Sequence, residues 1–190
     1  MSSSNVDQGV AGARVPRALS LALPAFTSAI FVSAFLLFAV QPMFAKMVLP
    51  RLGGSPSVWS VAMCFFQAAL LIGYGYAHLL TRTLSLMSAV VVHVGVSLLA
   101  LVALPISLAV GWDRPPLDYT AFWLIGLFAV SIGIPFVAVS ANSPLLQVWF
   151  SRTGHPHAGD PYFLYGASNV GSLIALLGYP LLFEPFLRLP

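Results

Sequence analysis

The side chains able to do chemistry in this chain are few, and most lie inside apolar stretches. Lys46 and Glu184 carry opposite charges near the ends of two such stretches. Gln41, Gln67, His78, His93, Asn142, Gln147 and Asn169 add amides and imidazoles. Ionisable and amide groups at membrane depth are expensive to place there and mark functional sites by default. The chemistry they offer is hydrogen bonding and ion pairing rather than bond breaking. The five acidic residues form no pair at catalytic spacing, and no Ser/His/Asp or Cys/His arrangement can be composed. His155-Pro156-His157 has two imidazoles one residue apart but no neighbouring Cys or Glu, so a solvated loop is favoured over a metal site. Gly53-Gly54 lacks the spacing and the preceding strand of a nucleotide-binding turn. Cys64 is the single cysteine, which leaves neither a disulfide within the chain nor a cysteine metal cluster, and it reads as a small packed hydrophobe. No catalytic residue, cofactor or metal is expected.

The elements that position these groups follow from the charge distribution. Of the 190 residues, 59% are hydrophobic and 7% charged, whereas a soluble domain carries roughly 25% charged residues. Lipid must therefore be the solvent. No charge falls between Arg17 and Lys46, Arg51 and Arg82, Arg82 and Asp113, Asp118 and Arg152, or Asp160 and Glu184. Each gap exceeds the roughly 20 residues a helix needs to cross the hydrocarbon core. A charge at its centre costs about 3 kcal/mol. The expectation is an all-α, multi-pass helical bundle of about five spans without a soluble domain. The basic residues are scattered singly, which excludes a nucleic-acid surface. The first apolar stretch is too long for a signal-peptide core and reads as a retained span.

The expected spans are 18–48, 56–80, 84–108, 118–151 and 161–184, after a disordered tail over 1–17. Pro42 should kink the first. Ser55-Pro56, Asp118 and Asp160-Pro161 are helix-start signals. Thr81-Arg82-Thr83 allows only a tight turn, so the second and third spans should be antiparallel neighbours. The fourth window of about 33 residues is near 50 Å long, more than the core requires. Ser140-Ala141-Asn142-Ser143-Pro144 should interrupt it near 142–144, where freed carbonyls could line a cavity. Otherwise the amides of Asn142, Gln147, Gln67 and Asn169 hold helices together. His93 is expected to be structural.

Odd-numbered spans run in one direction, which places Lys46 and Glu184 on the same membrane face. They either pair or snorkel separately to the interface. In the last span Ala167, Gly171, Ala175 and Gly178 share one face and permit close helix contact. That stripe should meet another helix, from a second copy, the rest of the same protein or a partner subunit. Arg14 and Arg17 before the first span favour a cytoplasmic N-terminus, although counting Arg82 and Arg152 against Lys46, Arg51, Arg114 and Arg188 gives a tie.

Several of these segments also resemble one bacterial family. They are Phe38 through Lys46, Leu49-Pro50, Gly53 through Trp59, Phe65-Phe66-Gln67 and Gly73 through His78. Ser143 through Phe150, Asp160 through Tyr165, Ser168-Asn169 and Gly171-Ser172 continue the pattern. The family comprises membrane proteins described as fused major-facilitator-like and spermidine-synthase-like, and the resemblance covers nearly the whole chain after Leu19. It implies a transporter-like bundle in the bacterial inner membrane, followed in longer members by more helices and an aminopropyltransferase-like domain. The cofactor-binding glycine turn and amine-binding acids of that domain are missing here. The resemblance thus implies a membrane module without polyamine synthase activity of its own, acting as anchor or assembly partner. Such a module is a fragment, a split subunit or free-standing. The alternatives are part of a small-molecule transporter and an accessory subunit of a larger membrane complex.

Overall fold

The computed structural model describes residues 17–52, 54–112, 114–116 and 118–186. Residues 1–16 of the expected tail, Gly53 and Arg188 lie outside the described residues, whereas Arg17 already belongs to the first helix. Among those described, the chain is an all-α bundle. It comprises α1 (Arg17–Leu52), α2 (Pro56–Thr83), α3 (Leu86–Leu101), α4 (Thr120–Phe128), α5 (Ile134–Ser151), α6 (Tyr162–Gly178) and the single turn α7 (Glu184–Phe186). Wide π turns, Ala129–Gly133 and Tyr179–Phe183, join α4 to α5 and α6 to α7. Four stretches are long and apolar enough to cross a membrane: Leu19–Leu52, Pro56–Thr83, Thr120–Ser151 and Tyr162–Phe186. α3, with 16 residues, is a shorter apolar helix.

The fourth span is not broken where expected. Asn142, Ser143 and Pro144 all lie within continuous α5. The irregularity falls instead on Ala129–Gly133, immediately before Ile134-Pro135. The second π turn likewise precedes Glu184-Pro185. A proline offers no N–H to the carbonyl four residues back and its ring crowds that carbonyl. Widening the preceding turn relieves both problems. At Pro144 the helix carries the defect internally, as apolar packing and neighbouring helices allow in a membrane.

Other boundaries move for local reasons. α1 continues through Pro24, Pro42 and Pro50 to Leu52, absorbing the loop expected at Leu49-Pro50. α2 continues through Thr83 rather than turning at Thr81–Thr83. The chain reverses at Leu84-Ser85, where Ser85 Oγ accepts the Ser88 N–H at 3.3 Å and caps α3. α3 stops at Leu101, seven residues before the expected end. Its chief packing partner is α5, with only slight contact to α2. Asp118 does not cap α4; Tyr119 occupies that position with φ 64° and no side-chain bond. Ser55 does precede Pro56 at the start of α2, yet its hydroxyl pairs with Ser57 Oγ instead of a backbone N–H. Asp160 Oδ1 accepts the Tyr162 N–H at 3.3 Å, as a start signal should.

Two close crossings set the arrangement. α6 lies along α1 in the most extensive interface of the bundle. A β-carbon on Gly171 would collide with the Phe31 carbonyl of α1. Ala175 and Gly178 are buried in line with it, and Ala167 is half-buried. The stripe is therefore closed within the same chain, by α1 at Gly171 and by the Phe183 ring at Gly178, and its buried members are not available to a second copy or subunit. At the other crossing Gly73 of α2 meets the Ser140 hydroxyl of α5. Such approaches suit lipid, where close van der Waals packing replaces the hydrophobic drive between helices. Toward one end, Phe44, Phe65, Phe66, Phe128 and Phe136 interlock, with the Phe44 and Phe128 rings 5.0 Å apart. Toward the other, Ile30, Phe150 and Leu164 form a smaller core.

Candidate functional site

Asn142 is the hub of the interior. It sits on the face of α5 turned toward α1 and α3. Its Nδ2 donates to Ser33 Oγ of α1 at 3.0 Å, and its Oδ1 lies 2.7 Å from His93 Nε2 of α3. Because Oδ1 can only accept, Nε2 carries the proton in this pairing and Nδ1 is left as an acceptor in the neutral ring. His93 and Ser33 are buried, at 4% and 8% exposure. One amide thus ties three helices whose contributing residues are 49 and 109 positions away in sequence. His93 also has ring neighbours on two helices: Tyr76 of α2 at 5.9 Å and Trp149 of α5 at 6.0 Å between centroids.

Beside this hub lies a cavity of about 310 Å³ between α1, α3 and α5. Leu36, Val40, Leu104, Ile132 and Phe136 supply apolar wall, and Asn142 and Ser97 supply its polar groups. The π turn contributes Ile132. The turn also anchors the nonhelical segment after α3, since the Ala109 N–H donates to Ser131 Oγ at 2.9 Å. Irregular backbone at membrane depth needs such a partner.

At the end of the bundle, Lys46 Nζ and Glu184 Oε1 pair at 2.8 Å, with side chains 37% and 47% exposed. Pairing, rather than separate snorkelling, is what the fold adopts. Arg51 Nη1 nearby donates to the Trp112 carbonyl at 2.8 Å.

The remaining polar residues do not join these groups. Gln41 is half-buried without a side-chain hydrogen bond among the described residues. Gln147 Nε2 donates to Ser143 Oγ at 3.2 Å within its own helix, so it links no helices. Gln67, His78 and Asn169 are exposed on α2 and α6 and likewise bond no other described side chain. In the loop before α6, His155 Nδ1 accepts the His157 N–H at 3.1 Å, which uses that nitrogen to hold the turn. Ser33, Tyr76 and Trp149 were not distinguishable as site residues by sequence reasoning. The one available signal was the seven-residue spacing of Asn142 and Trp149, which puts both on one face of α5.

No protein-family model, curated protein or solved structure matches the chain.

Proposed function

We propose that this chain is the membrane module of a spermidine-synthase-like protein, non-catalytic by itself, that serves as an anchor and assembles with further transmembrane helices. It resides in the bacterial cytoplasmic membrane with its N-terminus inside. The observation behind the assembly role is the polarity of two exposed faces. Gln67, Leu71, Tyr74 and His78 recur at helical spacing on the outer face of α2, and all are exposed. Tyr162, Tyr165, Asn169 and Leu173 do the same on α6. Lipid tails cannot hydrogen-bond, and a polar group left unsatisfied in hydrocarbon costs several kcal/mol. Another helical bundle supplying hydrogen-bond partners removes that cost.

The test is extraction into native nanodiscs followed by light scattering. The wild-type chain should appear in particles holding more protein than one copy of it. Gln67→Leu combined with Asn169→Leu should return it to a single copy. Wild-type particles with one chain and no other protein would reject the assembly role. Aminopropyl transfer by the purified chain would reject the non-catalytic assignment.

The cavity against Asn142 favours a second reading, as part of a carrier for small molecules, polyamines among them. Proteoliposome uptake that is abolished by Asn142→Leu supports this reading. Lack of uptake for every polyamine and small cation tried argues against it.

A further inference from the structure

We propose that Tyr76, His93 and Trp149 form a buried site for one small hydroxyl-bearing molecule, between α2, α3 and α5 and independent of both functional readings above. The side-chain atoms Tyr76 Oη, His93 Nδ1 and Trp149 Nε1 are each shut off from the surface and have no hydrogen-bond partner. All three belong to rings gathered around His93, with centroids within 6.0 Å of it. Buried polar atoms without partners are rare, and three in one neighbourhood make a set of donors and an acceptor suited to one small polar ligand.

The hydrogen-bond roles define its chemistry. Trp149 Nε1 can only donate and Tyr76 Oη can donate. Asn142 draws the His93 proton to Nε2, so His93 Nδ1 accepts. An O–H group completes this set, accepting from the indole and the phenol while donating to the imidazole. A bare cation would meet the indole N–H, which can only donate, and an anion would meet the lone pair of Nδ1. A resident water has this chemistry, with the roughly three bonds typical of a buried water. So does the hydroxyl of a small solute. A bound O–H extends a hydrogen-bonded line through His93 and Asn142 to Ser33, and Asn142 is the member of that line that faces the cavity.

Magic-angle-spinning NMR of the full chain, labelled with ¹⁵N at His and Trp, tests this in phosphatidylcholine bilayers, whose lipids carry no O–H. His78→Gln, His155→Gln and His157→Gln variants, all outside the site, assign the His93 signals. The expected spectrum shows the Nε2-protonated tautomer. It also shows proton polarisation passing from a bound O–H to both His93 Nδ1 and Trp149 Nε1–H. Transfer with water as the only hydroxyl source identifies a resident water. Transfer that appears only after ethanol is added identifies a solute site. Trp149→Phe keeps an aromatic ring but removes the donor, and should abolish the transfer at His93. Tyr76→Phe should weaken it. An Nδ1-protonated ring, or absence of transfer in both water and ethanol, overturns the proposal from wild-type spectra alone.

Discussion

The bundle holds two polar connections that differ in nearly every physical respect. At one end, Lys46 and Glu184 form a charged pair with side chains 37% and 47% exposed. In the interior, Ser33, Asn142 and His93 form a neutral chain with His93 at 4% exposure. The charged pair depends on a glycine crossing, since Gly171 lets α6 lie on α1, whereas the neutral chain joins α1, α3 and α5 through the Asn142 amide. The charged pair looks stronger on paper, but its partners keep access to water or headgroups when separated. The neutral chain has no such fallback, since a lone amide or imidazole inside the bundle loses its only partner. Burial, not charge, decides which connection the fold depends on.

The glycine crossings give the largest effects. Gly171→Val places a branched side chain against the Phe31 carbonyl, and should cost about 3 kcal/mol, the upper part of the overpacking range. It should also break the Lys46–Glu184 pair, because α6 must move off α1. Thermal unfolding in mild detergent measures the cost; an unchanged melting curve would dissolve the supposed dependence on Gly171. Asn142→Leu comes next. It strands the His93 N–H and the Ser33 hydroxyl, for a loss of about 1–3 kcal/mol by the same assay. A loss no greater than that of Lys46→Met would erase the contrast between the two regions.

The contrast is sharpened by a double-mutant cycle of His93→Phe with Asn142→Leu. The coupling should fall near 0.6 kcal/mol and not exceed about 1.7 kcal/mol, the span known for hydrogen bonds between membrane helices. The smallest effect belongs to the charged pair. Lys46→Met with Glu184→Gln should leave unfolding unchanged, as exposed ion pairs commonly contribute little. Any coupling that does appear should fade between low and high salt, and a salt-insensitive coupling would show the pair to be more enclosed than it is.

The shared end of Lys46 and Glu184 was legible in the sequence, because charge-free windows mark the helices and alternating directions set which ends meet. The pairing itself was not, since separate snorkelling to the interface satisfies the same pattern and only the packing of α6 on α1 brings the two charges to 2.8 Å. The small-residue stripe was legible for a similar reason, since its period alone predicts a close crossing, though not that α1 occupies it. Asn142 was legible only as a polar group at depth. Its partners depend on packing across 49 and 109 residues, which no local pattern encodes. The choice of disrupted turn was equally hidden. Pro135 and Pro144 are both prolines in one apolar run, and only the three-dimensional surroundings decide which defect widens the helix and which stays internal. Gln67, His78 and Asn169 are plainly polar in the sequence, but their outward facing is fixed only by which faces of α2 and α6 pack inward.

The 16 residues of α3 carry a consequence for the surrounding lipid. At 1.5 Å per residue the helix is about 24 Å long, short of a hydrocarbon core of about 30 Å, whereas the 36 residues of α1 reach about 54 Å. One flat bilayer cannot match both. The leaflet beside α3 must dimple inward, or α1 must tilt, and either adjustment carries a modest elastic cost. Shorter acyl chains relieve the strain at α3, which bears His93. Of the helices joined by the interior polar chain, α3 is thus the one whose length leaves the least apolar surface for lipid to cover.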